Sequence, residues 1–344
     1  MKALVLEDYG KFALRDINRP ALRGGDDVIV RVRAAAICGS DVHGMDGSTG
    51  RRRPPIVMGH EAAGEIVEAG AGVRGYRPGD RVTFDSTEYC GTCWHCRRGE
   101  VNLCDDRRVL GVSCAEYRRD GAFAEYVVVP ERILYRLPEA LDYVSASLAE
   151  PLGVAAHAAA ITPLGLDESV AVVGTGLIGL LLVQVLRGAT SGPIIALDTD
   201  ESRRAAALRF GADAALDPAD PKALDELKRL TSGRGADRAF EAVGATAPIK
   251  TAIAAVRKGG TVTLIGNASP AVELPLQDVV TRQIGLLGSC AISGEYPVAL
   301  DLMARGKVDA RALVSAVAPL AEGAAWFDRL YRREPGLLKV VLEP

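Results

Sequence analysis

Short runs of alternating apolar and polar residues come first along this chain, and helical spacing comes later. Between Met1 and about Pro138 the β-type runs are Lys2–Leu6, Asp27–Arg33, Glu65–Glu68, Arg81–Phe84 and Tyr126–Pro130. Turn sequences separate them, such as Arg-Gly-Gly-Asp at 23–26 and Arg-Pro-Gly-Asp at 77–80. This half predicts a β domain with irregular loops. From Val170 the rhythm changes. An apolar run, Val170–Val173, meets a glycine turn. Apolar Leu180–Leu186 follows, then a second run, Pro193–Leu197. The pattern predicts strand, turn, helix, strand. Helices are then expected at Glu201–Phe210, Pro221–Leu230 and Pro248–Val256. Strands are expected at Ala214–Leu216, Asp237–Glu241, Thr261–Gly266 and Ile284–Gly288. Six strands alternating with helices predict a doubly wound parallel sheet. The tail departs from this rhythm, with helices at Tyr296–Arg305 and Ala321–Arg332 and strands at Ser315–Ala318 and Lys339–Leu342. It is expected to return to the first domain. The division is then 1–150 with 290–344 for one domain, and 151–289 for an inserted α/β domain.

Composition narrows the classes. The 344 residues suit two domains, and 48% hydrophobic with 25% charged residues suits a packed globular protein. A formal charge of −3 gives no basic excess for nucleic acid or an anionic membrane. The start of the chain has no signal-peptide layout, and no apolar run reaches the roughly 18 residues of a membrane span. Seven cysteines, four of them clustered, then point to reduced thiols and metal rather than disulfides. The expected compartment is the cytoplasm.

The glycine turn carries the first chemical signal. In Gly174-Thr-Gly-Leu-Ile-Gly179, Gly174 permits the tight turn, Gly176 lets the backbone approach a pyrophosphate, and Gly179 lets helix and strand pack closely. Leu177 and Ile178 open the helix, whose N-terminus favours phosphate. Asp198 lies 19 residues beyond Gly179, where a carboxylate takes ribose hydroxyls. Together these predict a dinucleotide site. Asp200 and Glu201 add negative charge that disfavours a 2′-phosphate, so NAD is expected over NADP. Arg203 stands nearby as the counter-indication, with Arg204. Other cofactor contacts are expected beyond the strand ends, at Val243, Ile265, Gly266 and Ser289.

Metal signals lie in the first half. Cys90, Cys93, Cys96 and Cys104 have the spacing C-x2-C-x2-C-x7-C and predict a closed four-thiolate zinc site. His95 is read as a bystander. A second set is dispersed: Cys38-Gly-Ser40-Asp41-Val-His43, and Gly59-His60-Glu61. Cys38 alone reads as an ordinary buried thiol and His60 as a satisfied polar residue. In glycine-flanked loops beside acids they become candidate zinc ligands, and a catalytic zinc needs three protein ligands and an open position. Glu61 is one candidate for the third. Glu150, in the apolar run Leu148-Ala-Glu150-Pro151, is the other, since a carboxylate there is costly unless paired or metal-bound. A helix-capping role for Glu150 is compatible with that. Arg51, Arg52 and Arg53 form the only basic triplet. They are read as a solvated loop, or as a receiver of a phosphate if they lean over the pocket.

These motifs, with Gly59-His-Glu-Ala-Ala-Gly64 and Gly121-Ala-Phe-Ala-Glu-Tyr126, resemble the zinc-containing medium-chain dehydrogenases over essentially the whole chain. Within them the chain looks most like the sorbitol (L-iditol, polyol) dehydrogenases, through Cys38–His43, Glu150-Pro151-Leu152 and Tyr296-Pro297-Val-Ala-Leu300. The resemblance implies a GroES-like β-barrel catalytic domain and a Rossmann NAD-binding domain, with two zincs per chain. It also implies a homo-oligomer, dimer or tetramer, acting on a small-molecule alcohol. Cys38, His60 and either Glu61 or Glu150 would hold the catalytic zinc, Asp41 would orient His60, and Ser40 would start a proton relay that continues towards His43. The implied activity is oxidation of a secondary alcohol of a polyol to a ketose. Alternatives are a phosphorylated polyol, a threonine-like amino alcohol or a vicinal diol. A non-catalytic NAD-binding protein is the remaining alternative. Two departures bear on substrate: Gly44-Met45 stand where polyol dehydrogenases carry an aromatic residue, and Gly288-Ser289 where they show an Arg-Tyr pair.

Overall fold

The computed structural model describes residues 1–344, which divide into two compact units: Met1–Glu150 with Ile292–Pro344, and Pro151–Ala291. The chain passes from the first to the second within the helix Ala149–Ile161. No helix is long and apolar enough to cross a membrane.

The first unit is built on one sheet. Its strand path runs Leu134–Arg136, Arg81–Phe84, Glu61–Ala69, Asp27–Ala36, Lys339–Glu343, Val314–Pro319, with Tyr126–Pro130 also pairing Asp27–Ala36. The tail strands therefore join this sheet. Lys339–Glu343 pairs antiparallel with Asp27–Ala36, placing Val341 opposite Ala36. The expected barrel is not what the pairing shows. The path ends on a three-residue strand and on Val314–Pro319, each hydrogen-bonded on one side only, so the ladder does not close into a ring. A smaller sheet joins Lys11–Asp16, Lys2–Asp8 and Ile56–Val57. Between the layers lies an apolar core that includes Leu4, Phe84, Phe123 and Phe327. Phe327 stacks on Phe12 at 4.3 Å and meets Phe123 edge-on at 5.6 Å.

The second unit is the doubly wound sheet. Six parallel strands lie in the order Ala214–Leu216, Ile194–Leu197, Val170–Val173, Ala236–Glu241, Val256–Leu264, Gly285–Gly288. The order reverses beside Val170–Val173, the switch point where such sheets bind ligands. Val170–Val173 and Ile194–Leu197 are buried throughout, as strands covered on both faces must be. One added helix, Leu276–Thr281, lies in a stretch whose exposed Leu276 and Val280 mask helical spacing.

An ionic tie at the foot of this sheet gives a pH expectation. Asp237 accepts Ser169 N–H at 2.9 Å, the Ser169 hydroxyl at 2.7 Å and Arg257 Nε at 2.6 Å. Burial, the largest influence, would raise its pKa, yet Arg257 and Ser169 bring it down to about 2. A depressed carboxylate contributes stability above its unfolded value of 3.8, lost as pH falls through the folded value. The stake is at most about 2 kcal/mol. Arg257→Met should flatten the loss of stability between pH ~4 and ~2. Denaturant titration across that window checks it; an unchanged acid limb would remove the tie from the account.

Candidate functional site

Sheet register assembles the first cluster. Strand Asp27–Ala36 runs directly into Ile37 and Cys38. Strand Glu61–Ala69 begins just after His60, and Ala36 is paired with Glu61. The end of one strand therefore stands beside the start of the next. Cys38, His60 and Glu61 each bring one ligand atom, all within 4.8 Å of one another. From the other side of Asp27–Ala36, the strand Lys339–Glu343 delivers Lys339. Its Nζ donates to Glu61 Oε2 at 2.6 Å and to the Ile37 carbonyl at 2.9 Å. Both side chains are almost wholly buried, 2% and 1% exposed.

Cys38 also starts the short helix Gly39–Gly44. Its Sγ accepts Ser40 N–H at 3.4 Å and the Ser40 hydroxyl at 3.3 Å. Asp41 is fully buried on this helix, while Ser40 and His43 are exposed. Asp41 Oδ2 faces His60 Nδ1 at 3.4 Å, without an aligned hydrogen bond on either atom. Burial, the largest influence, would raise the pKa of Asp41, but His60 and Arg52 bring it down to about 2. Burial likewise works against charge on His60, yet Asp41 and Cys38 raise its pKa well above the ordinary value.

Glu150 belongs to the same unit but not to the 4.8 Å group. Its Oε1 accepts the Ser86 hydroxyl at 3.2 Å. Burial pushes it up to about 7; His60 acts against this, while Glu61 and Asp85 reinforce it. Glu61 has Lys339 as counter-charge, and Glu150 has no ion pair of its own. A cysteine sulfur, an imidazole and two buried acids, one of them without an ion pair, fit a zinc ion.

Arg52 corrects the expectation of a solvated basic loop. Arg51 and Arg53 are exposed, but Arg52 is buried on Asp41. A buried carboxylate demands a cation, and the middle arginine supplies it. Sequence reasoning also missed Lys339. The available signal was a lysine opening an otherwise apolar strand.

The four clustered cysteines place their sulfurs within 4.8 Å of one another. None of the seven cysteines is joined in a disulfide. Backbone N–H groups of Thr92 and Cys93 point at Cys90 Sγ at 3.4 and 3.3 Å, and that of Cys96 at Cys93 Sγ at 3.4 Å. The set fits a closed zinc site. His95 turns instead to Glu100, Nδ1 to Oε2 at 2.9 Å.

In the second unit, Gly174 has φ +86°, and a Cβ there would lie 2.3 Å from Val243 Cγ2. A Cβ on Gly179 would lie 2.0 Å from the Gly174 carbonyl oxygen, whereas one on Gly176 meets nothing within 4 Å. The space at Gly176, at the head of helix Leu177–Arg187, leaves the room that a pyrophosphate would need. Asp198 sits just past Ile194–Leu197. Its Oδ2 accepts Thr175 N–H at 2.7 Å, and its Oδ1 accepts Asp200 N–H at 2.9 Å. Arg203 approaches Asp198 Oδ2 at 4.0 Å, and Arg204 is bound to the Asp198 carbonyl at 2.8 Å and to Asp217 at 3.3 Å. Val243 and Gly244 donate their N–H groups to the buried Glu241, and a Cβ on Gly266 would strike Gly244 N at 2.1 Å. The Ser289 hydroxyl is buried without a partner. Ile265 N–H donates to the Glu241 carbonyl at 2.8 Å.

Two family models match: the alcohol dehydrogenase GroES-like domain over residues 24–139, and the zinc-binding dehydrogenase over residues 178–305. Among curated proteins, the chain is 33% identical to sorbitol dehydrogenase of Bacillus subtilis (strain 168), covering 100% of this chain and 97% of that protein. It is 34% identical to D-xylulose reductase A of Aspergillus oryzae (strain ATCC 42149 / RIB 40), over 95% of this chain and 93% of that one. Among solved structures, a zinc-binding dehydrogenase candidate from Sinorhizobium meliloti 1021, bound to NADP, superposes with TM-score 0.90. It is 33% identical and covers 100% of this chain and 99% of that one.

Proposed function

The chain belongs to the zinc-binding, GroES-like alcohol dehydrogenase family, and we propose that it oxidises a secondary alcohol of a polyol to a ketose with NAD as acceptor. It is an enzyme of the zinc- and NAD(P)-dependent class. One observation carries the reading: Cys38, His60 and Glu61 converge within 4.8 Å, with the Ser40 hydroxyl bonded to the Cys38 sulfur. The catalytic domain of this reading is 1–150 with 290–344, and the NAD-binding domain is 151–289.

Cys38, His60 and Glu61 would hold the catalytic zinc, Glu61 through the oxygen that Lys339 leaves free. Glu150 is the second acid of the centre, an alternative ligand with no cation of its own. Cys90, Cys93, Cys96 and Cys104 would hold the structural zinc. When bound, the catalytic metal supplies Lewis acidity to the alcohol oxygen, and the nicotinamide supplies the hydride acceptor. The chain's own residues do the rest. Asp41 fixes the ring of His60 from behind. Ser40 takes the alcohol proton and hands it outward, where the exposed His43 lies on the same helix. Asp198, with Asp200 and Glu201 beside it, favours ribose hydroxyls over a 2′-phosphate, which supports NAD. The exposed apolar Leu276 and Val280, near the edge strand Gly285–Gly288, support a homo-oligomer, dimer or tetramer. Seven cysteines outside any disulfide suit the cytoplasm.

The deciding experiment is NADH formation on a panel of polyols, diols, threonine and polyol phosphates, with and without a chelator. One polyol should stand out, and chelation should abolish the signal. A response confined to phosphorylated or amino substrates would overturn the polyol reading. The glycines give a separate expectation. Gly179→Ala forces a side chain onto a backbone oxygen and should lower stability by at least about 1–3 kcal/mol. Gly176→Ala meets open space, so the melting temperature should hold while the NAD dissociation constant rises about tenfold or more. Thermal melts with NAD titration check both. Unchanged NAD affinity in Gly176→Ala would dismiss this turn as the pyrophosphate site.

A further inference from the structure

Arg52 is the middle residue of a basic triplet, yet its side chain is only 5% exposed while its neighbours lie in solvent. Its guanidinium reaches Asp41 Oδ1 through Nη2 at 3.0 Å and Nε at 3.3 Å. Nη2 also reaches the Ser40 oxygen at 3.4 Å, and Nη1 donates to the Arg51 carbonyl at 3.2 Å. The stem of Arg52 lies over Gly44, where a Cβ would come within 2.6 Å of Arg52 Cγ. Gly44 is not among the glycines with positive φ. Its backbone therefore does not require glycine; the missing side chain is what admits the arginine.

We propose that Arg52, seated by Gly44, is a positioning residue of the alcohol-oxidising centre, fixing Asp41 behind His60 and orienting the Ser40 hydroxyl. This rests on the proposed role of Ser40 in proton transfer. A serine hydroxyl has one proton to donate and two lone pairs. With one lone pair facing the guanidinium, the proton turns away from it, and here it points to Cys38 Sγ at 3.3 Å. The other lone pair is left for an incoming alcohol, and as it accepts the alcohol proton the hydroxyl swings its own proton from Cys38 Sγ to the exposed side of the helix, where His43 lies. Asp41 is held through Oδ1, so Oδ2 stays aimed at His60. A planar fork fixes both neighbours in one plane, whereas a lysine ammonium is a compact point charge on a flexible stem. The same packing gives a reason for glycine where polyol dehydrogenases commonly carry an aromatic side chain.

Arg52→Lys and Gly44→Ala perturb the contact independently, one by changing the head group and the other by pushing its stem. In the purified zinc-loaded protein, competition with a chromophoric chelator reads each zinc site. Steady-state rates in H2O and D2O at saturating zinc read the relay. In both variants one site should weaken about 10–100-fold while the other is unaltered. At saturating zinc, kcat should fall about tenfold or more, with KM for the alcohol little changed and a larger solvent isotope effect. If Arg52→Lys does not fold, Gly44→Ala decides alone. Parental zinc affinity and kcat in a folded variant, even one with a lower melting temperature, would overturn the proposal. Weakened zinc with kcat fully restored by added zinc would overturn the Ser40 half. If the parent oxidises no alcohol, the functional reading falls, and the chelator measurement still decides whether Arg52 supports the metal ligands.

Discussion

Serine in place of Cys38 is expected to lower kcat/KM for polyol oxidation at least about a thousand-fold, with little change in melting temperature. Cys38 has two roles that this substitution separates. It caps the helix Gly39–Gly44, accepting from Ser40 N–H, and serine is among the preferred residues at such a cap. It also faces His60 and Glu61 as the one soft ligand of the cluster, a role a neutral hydroxyl does not fill. A Lewis acid contributes several kcal/mol of charge stabilisation, and about 1.4 kcal/mol corresponds to a factor of ten, so three decades is a modest expectation. Metal analysis should fall from two zincs per chain to one. Cys38→Ala loses the cap as well and should cost about 1 kcal/mol more in stability. A serine variant that keeps full activity and both metals would remove Cys38 from the centre.

The sequence made some of this legible and hid the rest for a physical reason. The alternation after Val170 is local, so the parallel sheet follows from hydrophobic period and glycine turns within short windows. The four clustered cysteines are equally local, and their spacing announces the lobe. The zinc candidates Cys38 and His60 come from separate loops, and what brings them together is the pairing of Ala36 with Glu61. Register is a property of the folded sheet and has no signature in either loop. Lys339 shows this most clearly. It lies 278 residues from Glu61, and only the return of the tail strand to the first unit brings them into contact. Arg52 was misread because three arginines in a row look like a solvated surface. Nothing in that triplet marks the middle one as the counter-charge of Asp41.

The barrel expectation rests on different ground. The resemblance supplies a closed shape, while the paired strands run from Leu134–Arg136 to Val314–Pro319. The candidate metal cluster does not depend on closure. Cys38 and His60 lie in the loops that end Asp27–Ala36 and lead into Glu61–Ala69, and Glu61 opens the latter; these are two adjacent central strands, with Lys339–Glu343 on the flank. Central strands open locally less readily than edges, which suits a site whose geometry must persist.

Lys339→Met is expected to destabilise the metal-free protein by about 3–5 kcal/mol. Methionine fills much the same volume, so the loss falls on charge rather than packing. Glu61 would keep a buried carboxylate whose only ionic partner is gone, and the Ile37 carbonyl would lose its donor. Burial, the largest influence on Lys339, works against its charge, but Glu61 and Cys38 outweigh it and raise its pKa. A raised lysine contributes its stability fully below the unfolded value and loses it only as pH climbs through the folded one, so the effect is complete at neutral pH. Glu61→Gln/Lys339→Met should recover most of the stability, because an apolar or neutral pair avoids the unpaired charge that the single change leaves. Zinc offers a second route to recovery. A metal held by Cys38, His60 and Glu61 gives the carboxylate another counter-charge, so zinc loading should raise the melting temperature of Lys339→Met more than that of the parent. Melts of the parent, the single and the double variant, each with and without zinc, make the comparison. Equal stability of parent and single variant without metal would show that the ion pair is not what holds Glu61. Equal zinc increments in both would show that Glu61 does not share the metal's charge, and the third ligand would then be Glu150.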